Sequence, residues 1–442
     1  MKMVKLRITA LCLALLLLLC ACANGVGKTQ KEADAASLPE ADMAESMEET
    51  YRQYDSSYSS DTFTVRTIDA LAGRKDSFVI GADISLASAI AEAGGRYRDS
   101  SGAEAPICKI LSASGVNAVR LRLFHDYTSP TGTPCGRLDT ARVIAMIREA
   151  KAYSLQVILD LHYSDSWADP GHQSVPYAWK DFSFEEVKNA VYDYTAEVLH
   201  AIRDEGLSVD FLQIGNEINN GFLFPHGQID WNDREASFDR LAALLLQGSR
   251  AAREVFPECK IILHTANGLY RWVDGKEWGS AGLFFYQELE KRGVDYDIAG
   301  ASFYVFEDDT PVSCISEIID LYTDAIHKPV MIMETSYAYT YEWNDLTSNI
   351  FYTDKALPGY PVTFQGQTDL LLDIIEETAS AKDCGGIGVC WWGGEWIPNT
   401  DKDMRTSWAN QALFTYEGIA TPTLSAFQKC LPALWEGKTS KR

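Results

Sequence analysis

The chain lacks several things that would each have pointed to a chemistry. It has no C-x-x-C pair, so a zinc ribbon or a full disulfide framework has no obvious ligands. Its first candidate strand, Phe78–Asp83, carries no His-x-His pair to open a barrel metal site, only Asp83. No glycine-rich phosphate turn follows that strand, because the segment there reads Gly81-Ala82-Asp83-Ile84-Ser85. A dinucleotide-binding open sheet would need such a turn. Positive charge is scarce: 39 Lys and Arg stand against 62 Asp and Glu, a net charge of −23. That excludes nucleic acid, whose phosphates require a basic surface, and disfavours a polyanionic substrate. The apolar run Ile8–Leu19 is too short for a comfortable membrane span, and no solenoid-type repeat is present.

What remains is a chain of ordinary globular composition. Of its 442 residues, 46% are hydrophobic and 23% charged, enough for a large core without disulfide support. At the N-terminus Lys2, Lys5 and Arg7 precede the apolar run, which ends in Leu19-Cys20-Ala21-Cys22. This resembles a bacterial lipobox. It predicts a signal peptide over residues 1–22, with cleavage and lipidation at Cys22, Cys20 being less well placed and a plain secretory peptide the alternative. The protein is then expected outside the cytoplasm, held to the membrane only through a lipid anchor, or secreted. Residues 23–65 are rich in Ala, Glu, Asp, Ser and Tyr and poor in large aliphatics, which predicts a flexible acidic tether. A single folded domain is expected over residues 66–435, followed by a polar tail, 436–442. Three of the ten cysteines fall in the first 22 residues. Of the odd number left, Cys108 and Cys135 are the candidate pair.

From about residue 76, short apolar runs alternate with amphipathic ones. The predicted strands are Phe78–Asp83, Ala118–Phe124, Gln156–His162, Asp210–Glu217, Lys260–His264, Ile298–Tyr304, Val330–Glu334 and Gly388–Trp392. The predicted helices are Asp139–Tyr153, Phe184–Glu205, Arg234–Val255, Leu283–Lys291, Ile315–Ile326, Thr368–Ala381 and Thr423–Lys429. Strands alternating with helices imply a parallel sheet with right-handed crossovers. Eight such units predict an α/β fold, the (β/α)8 or TIM barrel.

Chemistry-bearing residues gather at the C-terminal ends of these strands, the rim where barrels bind substrate. They are Asp83, Arg120 and Arg122, His162 with Trp167, Asn216 with Glu217, His264, Tyr304, Glu334 and Trp392. Packing alone would call for aliphatics there. Glu217 and Glu334 end strands four and seven, which face each other across a barrel. Two carboxylates are what glycosidic cleavage needs. In the retaining form one attacks the anomeric carbon while the other protonates the leaving oxygen and later activates water, at a carboxyl separation of about 5–5.5 Å. Arg120 and Arg122 share one parity on their strand, so both can face inward. One of them should bond Glu334 and favour its ionised form.

The motifs themselves are specific. Gly81-Ala82-Asp83-Ile84-Ser85, Gly115-Val116-Asn117-Ala118-Val119-Arg120-Leu121-Arg122, Gly215-Asn216-Glu217-Ile218-Asn219-Asn220-Gly221 and Glu334-Thr335-Ser336-Tyr337 are joined by Gln365-Gly366-Gln367 and Asn410-Gln411-Ala412-Leu413-Phe414. The most diagnostic runs from Leu161 through His162-Tyr163-Ser164-Asp165-Ser166-Trp167-Ala168-Asp169-Pro170-Gly171-His172-Gln173. Together they resemble family 53 of the glycoside hydrolases, the arabinogalactan endo-β-1,4-galactanases. The resemblance implies Glu217 as acid/base and Glu334 as nucleophile. It places Asn216 on the sugar hydroxyl next to the reacting carbon, His162, His264 and Tyr304 around the catalytic subsite, and Trp392 and Trp396 as stacking faces. It implies no required cofactor or catalytic metal, allows a structural Ca²⁺ on a rim loop, and implies a neutral β-1,4-galactan substrate for a monomer. Where the family carries Trp-Glu-Pro-x-Trp, this chain has Trp392-Gly393-Gly394-Glu395-Trp396, and the two glycines are expected to open the rim. Another glycosidase of the same clan, a mannanase or cellulase, and a non-catalytic glycan-binding lipoprotein remain alternatives.

Overall fold

The computed structural model describes residues 63–432 apart from 267, 275–276, 281, 308–309, 343–346 and 352. The signal peptide, Cys22, nearly all of the tether and the polar tail lie outside the described residues.

Eight parallel strands close into a barrel in which sequence neighbours are also spatial neighbours. They are β1 (Val79–Asp83), β2 (Ala118–Leu123), β3 (Gln156–Leu161), β4 (Phe211–Ile214), β5 (Lys260–Thr265), β6 (Ile298–Ser302), β7 (Val330–Thr335) and β8 (Gly386–Trp391). They read as near-continuous apolar runs because helices cover them outside and side chains fill them inside. The helices are α1 (Ala87–Glu92), α2 (Ile107–Ala113), α3 (Thr140–Ala152), α4 (Phe184–Asp204), α5 (Arg234–Val255), α6 (Leu283–Glu290), α7 (Ile315–Ile326), α8 (Phe364–Ser380) and α9 (Pro422–Lys429). The expected (β/α)8 barrel is therefore what the chain forms.

Local chemistry sets the boundaries. Asp139 caps α3 by accepting from the Arg142 N–H at 2.8 Å, and Ser183 with Glu186 forms a capping box on α4. Helix α8 starts four residues before its predicted start because Thr363 accepts from the Gly366 N–H and caps it. The short helices α1 and α2, and a hairpin of Arg271–Asp274 with Glu277–Ser280, are elements the sequence pattern did not reveal. Six or seven residues of small or mixed side chains carry too little periodicity. The expected Cys108–Cys135 disulfide is not formed: Cys108 is a buried free thiol on α2.

The barrel interior is apolar at one end. Val79, Ala118, Ile158, Phe211, Ile262, Ile298, Met331 and Met333 form one cluster, with Ile387 packed against it. Strand β7 breaks the inside–outside alternation towards its C-terminal end. On β7, Ile332 pairs with Ala301 of β6, but the next pair is Glu334 with Ser302. Against β8, Ile332 pairs with Val389 and Thr335 with Trp391. Both neighbours thus see an extra residue on β7, a β-bulge. It lets the consecutive residues Met333 and Glu334 both face the interior, Met333 closing the apolar cluster and Glu334 rising into the rim.

Candidate active site

Above the apolar cluster the same inward parity carries polar side chains. Arg120 of β2 is wholly buried and its guanidinium is the hub. Nη1 donates to Glu334 Oε1 at 2.7 Å and to Asp83 Oδ2 at 3.1 Å. Nη2 donates to Asp160 Oδ2 at 2.8 Å and Asn216 Oδ1 at 2.7 Å, and Nε to Gln213 Oε1 at 3.1 Å. Arg122 is also buried, but it bonds Asp83 at 3.3 Å rather than Glu334. Its guanidinium lies 4.4 Å from the Trp167 ring centroid and 5.8 Å from that of Trp392. Of the two candidate arginines, Arg120 is the one that holds Glu334.

Glu334 is further fixed by Tyr304, whose hydroxyl donates to Oε2 at 3.0 Å. Tyr304 in turn packs against Trp408, ring centroids 5.5 Å apart, and Trp408 lies edge-on to Trp392 at 4.5 Å. Burial raises the Glu334 carboxyl above the ordinary range, and Asp83 adds to this. Arg120 and the bond from Tyr304 pull the other way without cancelling it. The expected lowering by arginine is thus present as a contribution but outweighed by desolvation.

Glu217 stands three residues beyond the end of β4, not on the strand as expected. The strand stops at Ile214 because Gly215 takes φ +73° and Glu217 itself φ +51°. A side chain on Gly215 would strike Ile218 and the Phe222 ring. The left-handed backbone of Glu217 is uncommon for a non-glycine residue. It is held by Gln173, whose Nε2 donates to the Asn216 carbonyl at 2.6 Å and to the Asp169 carbonyl at 3.0 Å. Glu217 Oε1 lies 2.7 Å from Ser302 Oγ. Its carboxyl is raised well above the ordinary range, first by burial and then by the nearby charge of Glu334, with Asp169 and Glu307 adding to it. Burial raises both carboxyls, and only Glu334 has a bonded cation to oppose it.

The other residues of the ring take defined places. His162 receives the Ala168 N–H on Nδ1 at 3.1 Å and faces Asp160 through Nε2 at 3.1 Å, so it braces the loop that carries Trp167. His264 joins Asn216 and Ser302. Both ends of the Asn216 amide are engaged, Oδ1 by Arg120 and His264 and Nδ2 by the Ala168 carbonyl at 2.8 Å. One amide hydrogen is left for a ligand. The later glutamines of the motifs tie down the chain after β7: Gln411 accepts from Ser336 Oγ at 2.7 Å and Gln367 donates to the Tyr337 carbonyl at 2.7 Å.

Two expectations fail at β8. Trp396 is 3% exposed, so it offers no face to a sugar. Gly393 and Gly394 do not open the rim either. Both are buried, and a side chain there would meet the Trp396 ring at 2.9 Å and Leu413 at 3.0 Å. They let Trp396 and Leu413 pack in close. Glu395 follows them, wholly buried, with Oε1 accepting from the Leu86 N–H at 3.2 Å and Oε2 unpartnered.

Asp160, Gln213, Ser302, Trp408 and Glu395 were not singled out from the sequence. The first three are polar residues at inward parity in apolar strands, each two or three positions before a residue that was (His162, Asn216, Tyr304), and that parity was the available signal. Among the described residues, no group of three or more His, Cys, Asp or Glu is placed to hold a metal ion.

The family model described as Glycosyl hydrolase family 53 matches residues 79–427, which is the barrel from its first strand to its last helix. The chain belongs to glycosyl hydrolase family 53. As a family 53 glycoside hydrolase it is similar to a protein named endo-beta-1,4-galactanase from Bacillus subtilis, 31% identical over 82% of this chain and 88% of the relative. An arabinogalactan endo-beta-1,4-galactanase from Cellvibrio japonicus is 28% identical over 79% and 90%. Among solved structures, the family 53 catalytic domain from Ignisphaera aggregans has a TM-score of 0.74 at 31% identity, covering 84% of this chain and all of that one. A structure of fungal beta-1,4-galactanases gives 0.66 at 27% identity, covering 80% and 99%.

Proposed function

We propose that this hydrolase cleaves internal β-1,4-galactosidic bonds of galactan and type I arabinogalactan, the side chains of pectin, with retention, Glu334 attacking the anomeric carbon and Glu217 serving as acid and then base. The unequal surroundings of the two carboxylates carry this reading. Glu334 has an arginine and a tyrosine hydroxyl on its two oxygens, which suits an ionised nucleophile. Glu217 has a neutral hydroxyl on one oxygen and carboxylates around it, which suits an acid that starts protonated. In the first step Glu334 bonds to carbon as Glu217 gives its proton to the departing oxygen. In the second, Glu217 takes a proton from water, and the water oxygen displaces Glu334. Asn216 holds its free amide hydrogen toward the sugar, and Trp167 and Trp392 flank the cleft with apolar faces.

The names of the Bacillus and Cellvibrio relatives support galactan as substrate, and the net charge of −23 suits a neutral polymer. Reducing-end release from galactan, mannan and cellulose, with product sizing, tests it. Equal rates on all three would overturn the substrate and leave the glycosidase chemistry. The lipobox-like Leu19-Cys20-Ala21-Cys22 supports a lipid anchor at Cys22 outside the cytoplasm, and Cys22→Ser should release the protein from membranes.

A further inference from the structure

Ser302, at the end of β6, stands between Glu217 and a histidine. Its Oγ is 2.7 Å from Glu217 Oε1 and 2.9 Å from His264 Nε2. A serine hydroxyl has one hydrogen to donate and two lone pairs, so it cannot donate to both neighbours at once.

The surrounding network fixes which nitrogen of His264 carries its proton. Asn216 donates through Nδ2 to the Ala168 carbonyl and accepts from Arg120 at Oδ1, so its amide has one orientation. His264 Nδ1 stands 2.9 Å from that same Oδ1. Two acceptors would repel at this distance, so Nδ1 bears the hydrogen. Gln213 Nε2 is also near, at 3.3 Å, but closer acceptors take its two hydrogens, Asp160 Oδ1 at 2.8 Å and the Gly215 carbonyl at 3.0 Å. Burial and the charge of Arg120 hold His264 well below the ordinary histidine range, so the ring is neutral. Nε2 therefore presents a lone pair to Ser302.

We infer that the Ser302 hydroxyl is a two-way partner of Glu217, its hydrogen pointing to His264 Nε2 while Glu217 is protonated and to Glu217 Oε1 once Glu217 is ionised. The inference rests on the reading of Glu217 as acid/base. In the first state Glu217 donates to Ser302 and Ser302 donates to His264, so every group is satisfied. When the O–H of Glu217 turns from Ser302 to the departing oxygen and gives up its proton there, the serine hydroxyl turns as well and gives the new carboxylate a charge-assisted bond. His264 Nε2 then loses its donor. No covalent bond changes in this rotation. Ser302 favours the ionised form of Glu217, and His264, by competing for the same hydrogen, favours the protonated form. Both are positioning residues.

The charged groups facing the pair are otherwise constant. Glu334 of β7, Asp169 of the loop after β3 and Glu307 beyond β6 face Glu217, while Arg120 of β2, Asp160 of β3 and His162 just after it face His264. Removing Ser302 or His264 leaves all of these in place.

The experiment is the pH dependence of kcat/KM on galactan, whose alkaline limb reports loss of the acid's proton. Ser302→Ala should move that limb up by about one pH unit. His264→Asn keeps a donor toward Asn216 but deletes the Nε2 acceptor, and should move it down by a similar amount. Ser302→Thr, which keeps the hydroxyl, should restore it. Shifts of the same sign, or none, overturn the inference. The unmodified protein gives a reading that does not depend on any variant folding. The ¹⁵N signal of His264 Nε2 should report a bare nitrogen at all pH and should move as Glu217 titrates. A signal that reports Nε2–H, or stays flat through that titration, overturns it too. Glu217→Gln separates the two levels. Full galactan activity in that variant removes Glu217 from the acid/base role, whereas an inactive Glu217→Gln without opposite limb shifts removes only the turning hydroxyl.

Discussion

The two halves of the barrel interior are built on the same strands and the same parity, yet they are different materials. The lower half is Val79, Ala118, Ile158, Phe211, Ile262, Ile298, Met331 and Met333. The upper half sets Arg120 among Asp83, Asp160 and Glu334, with Gln213, Asn216 and His264 bonded in. Apolar burial stabilises a fold with no geometric demands beyond fit. Buried charge stabilises only when every partner is in place, and often no better than an apolar substitute. The contrast teaches that the lower half supports the fold and the upper half spends some of that stability on holding two carboxylates in unequal surroundings.

Substitution in each half sharpens or breaks that contrast. The largest effect is expected from Glu334→Gln and Glu217→Gln, each lowering kcat/KM on galactan by about 10³-fold or more. Thermal scans of the same variants should show an unchanged or higher Tm, because a costly buried acid becomes a neutral isostere. A Tm that collapses together with activity would mean that the upper half carries the fold after all. Arg120→Met should be the one change that costs both, leaving Asp160 and Glu334 without their cation and Asp83 with Arg122 alone. A loss of about 3–5 kcal/mol in urea unfolding is expected, along with activity. Ile158→Ala, deep in the lower half, should cost about 2–5 kcal/mol of stability and leave kcat/KM of the folded enzyme unchanged. A selective loss of kcat would show that the apolar cluster tunes the rim.

The smallest effect concerns Glu395, an acid of the upper half without a bonded cation. Burial and the neighbouring Asp83 push its carboxyl up to about 8, with Arg122 opposing. A carboxyl raised on folding contributes stability that is full below its ordinary value of 4.5 and is lost as pH rises through 8. Glu395→Gln should therefore flatten the fall in Tm between about pH 5 and pH 8, by a few degrees. An identical fall in both proteins would show that Glu395 ionises freely.

Much of this was legible in the sequence, for physical reasons. The barrel followed from eight apolar runs alternating with amphipathic ones, and the rim residues from polar side chains ending those runs. The carboxylates were found because charge at the end of an apolar strand has no packing explanation. What escaped depends on local geometry. Parity counting would put Glu334 outside, since Met333 faces in; only the bulge on β7 brings both inward. The glycines before Glu395 looked like missing bulk, yet Trp396 and Leu413 fill that space. Trp408 escaped because it belongs to no strand and reaches the site from a loop. Ser302 escaped because one hydroxyl in a strand looks like any other until its two neighbours are known.

The left-handed backbone at Glu217 has a consequence for how this lineage can change. A glycine at that position would relieve the torsion at no steric cost, so drift, left alone, would favour losing the side chain. A descendant released from hydrolysis and kept only to grip glycan would be free to take that step, trading the torsion for the entropic cost that a glycine carries. A glutamate held in a conformation that disfavours it is what the proposed acid role asks of the main chain, and position 217 is where a decayed copy of this fold would first declare itself.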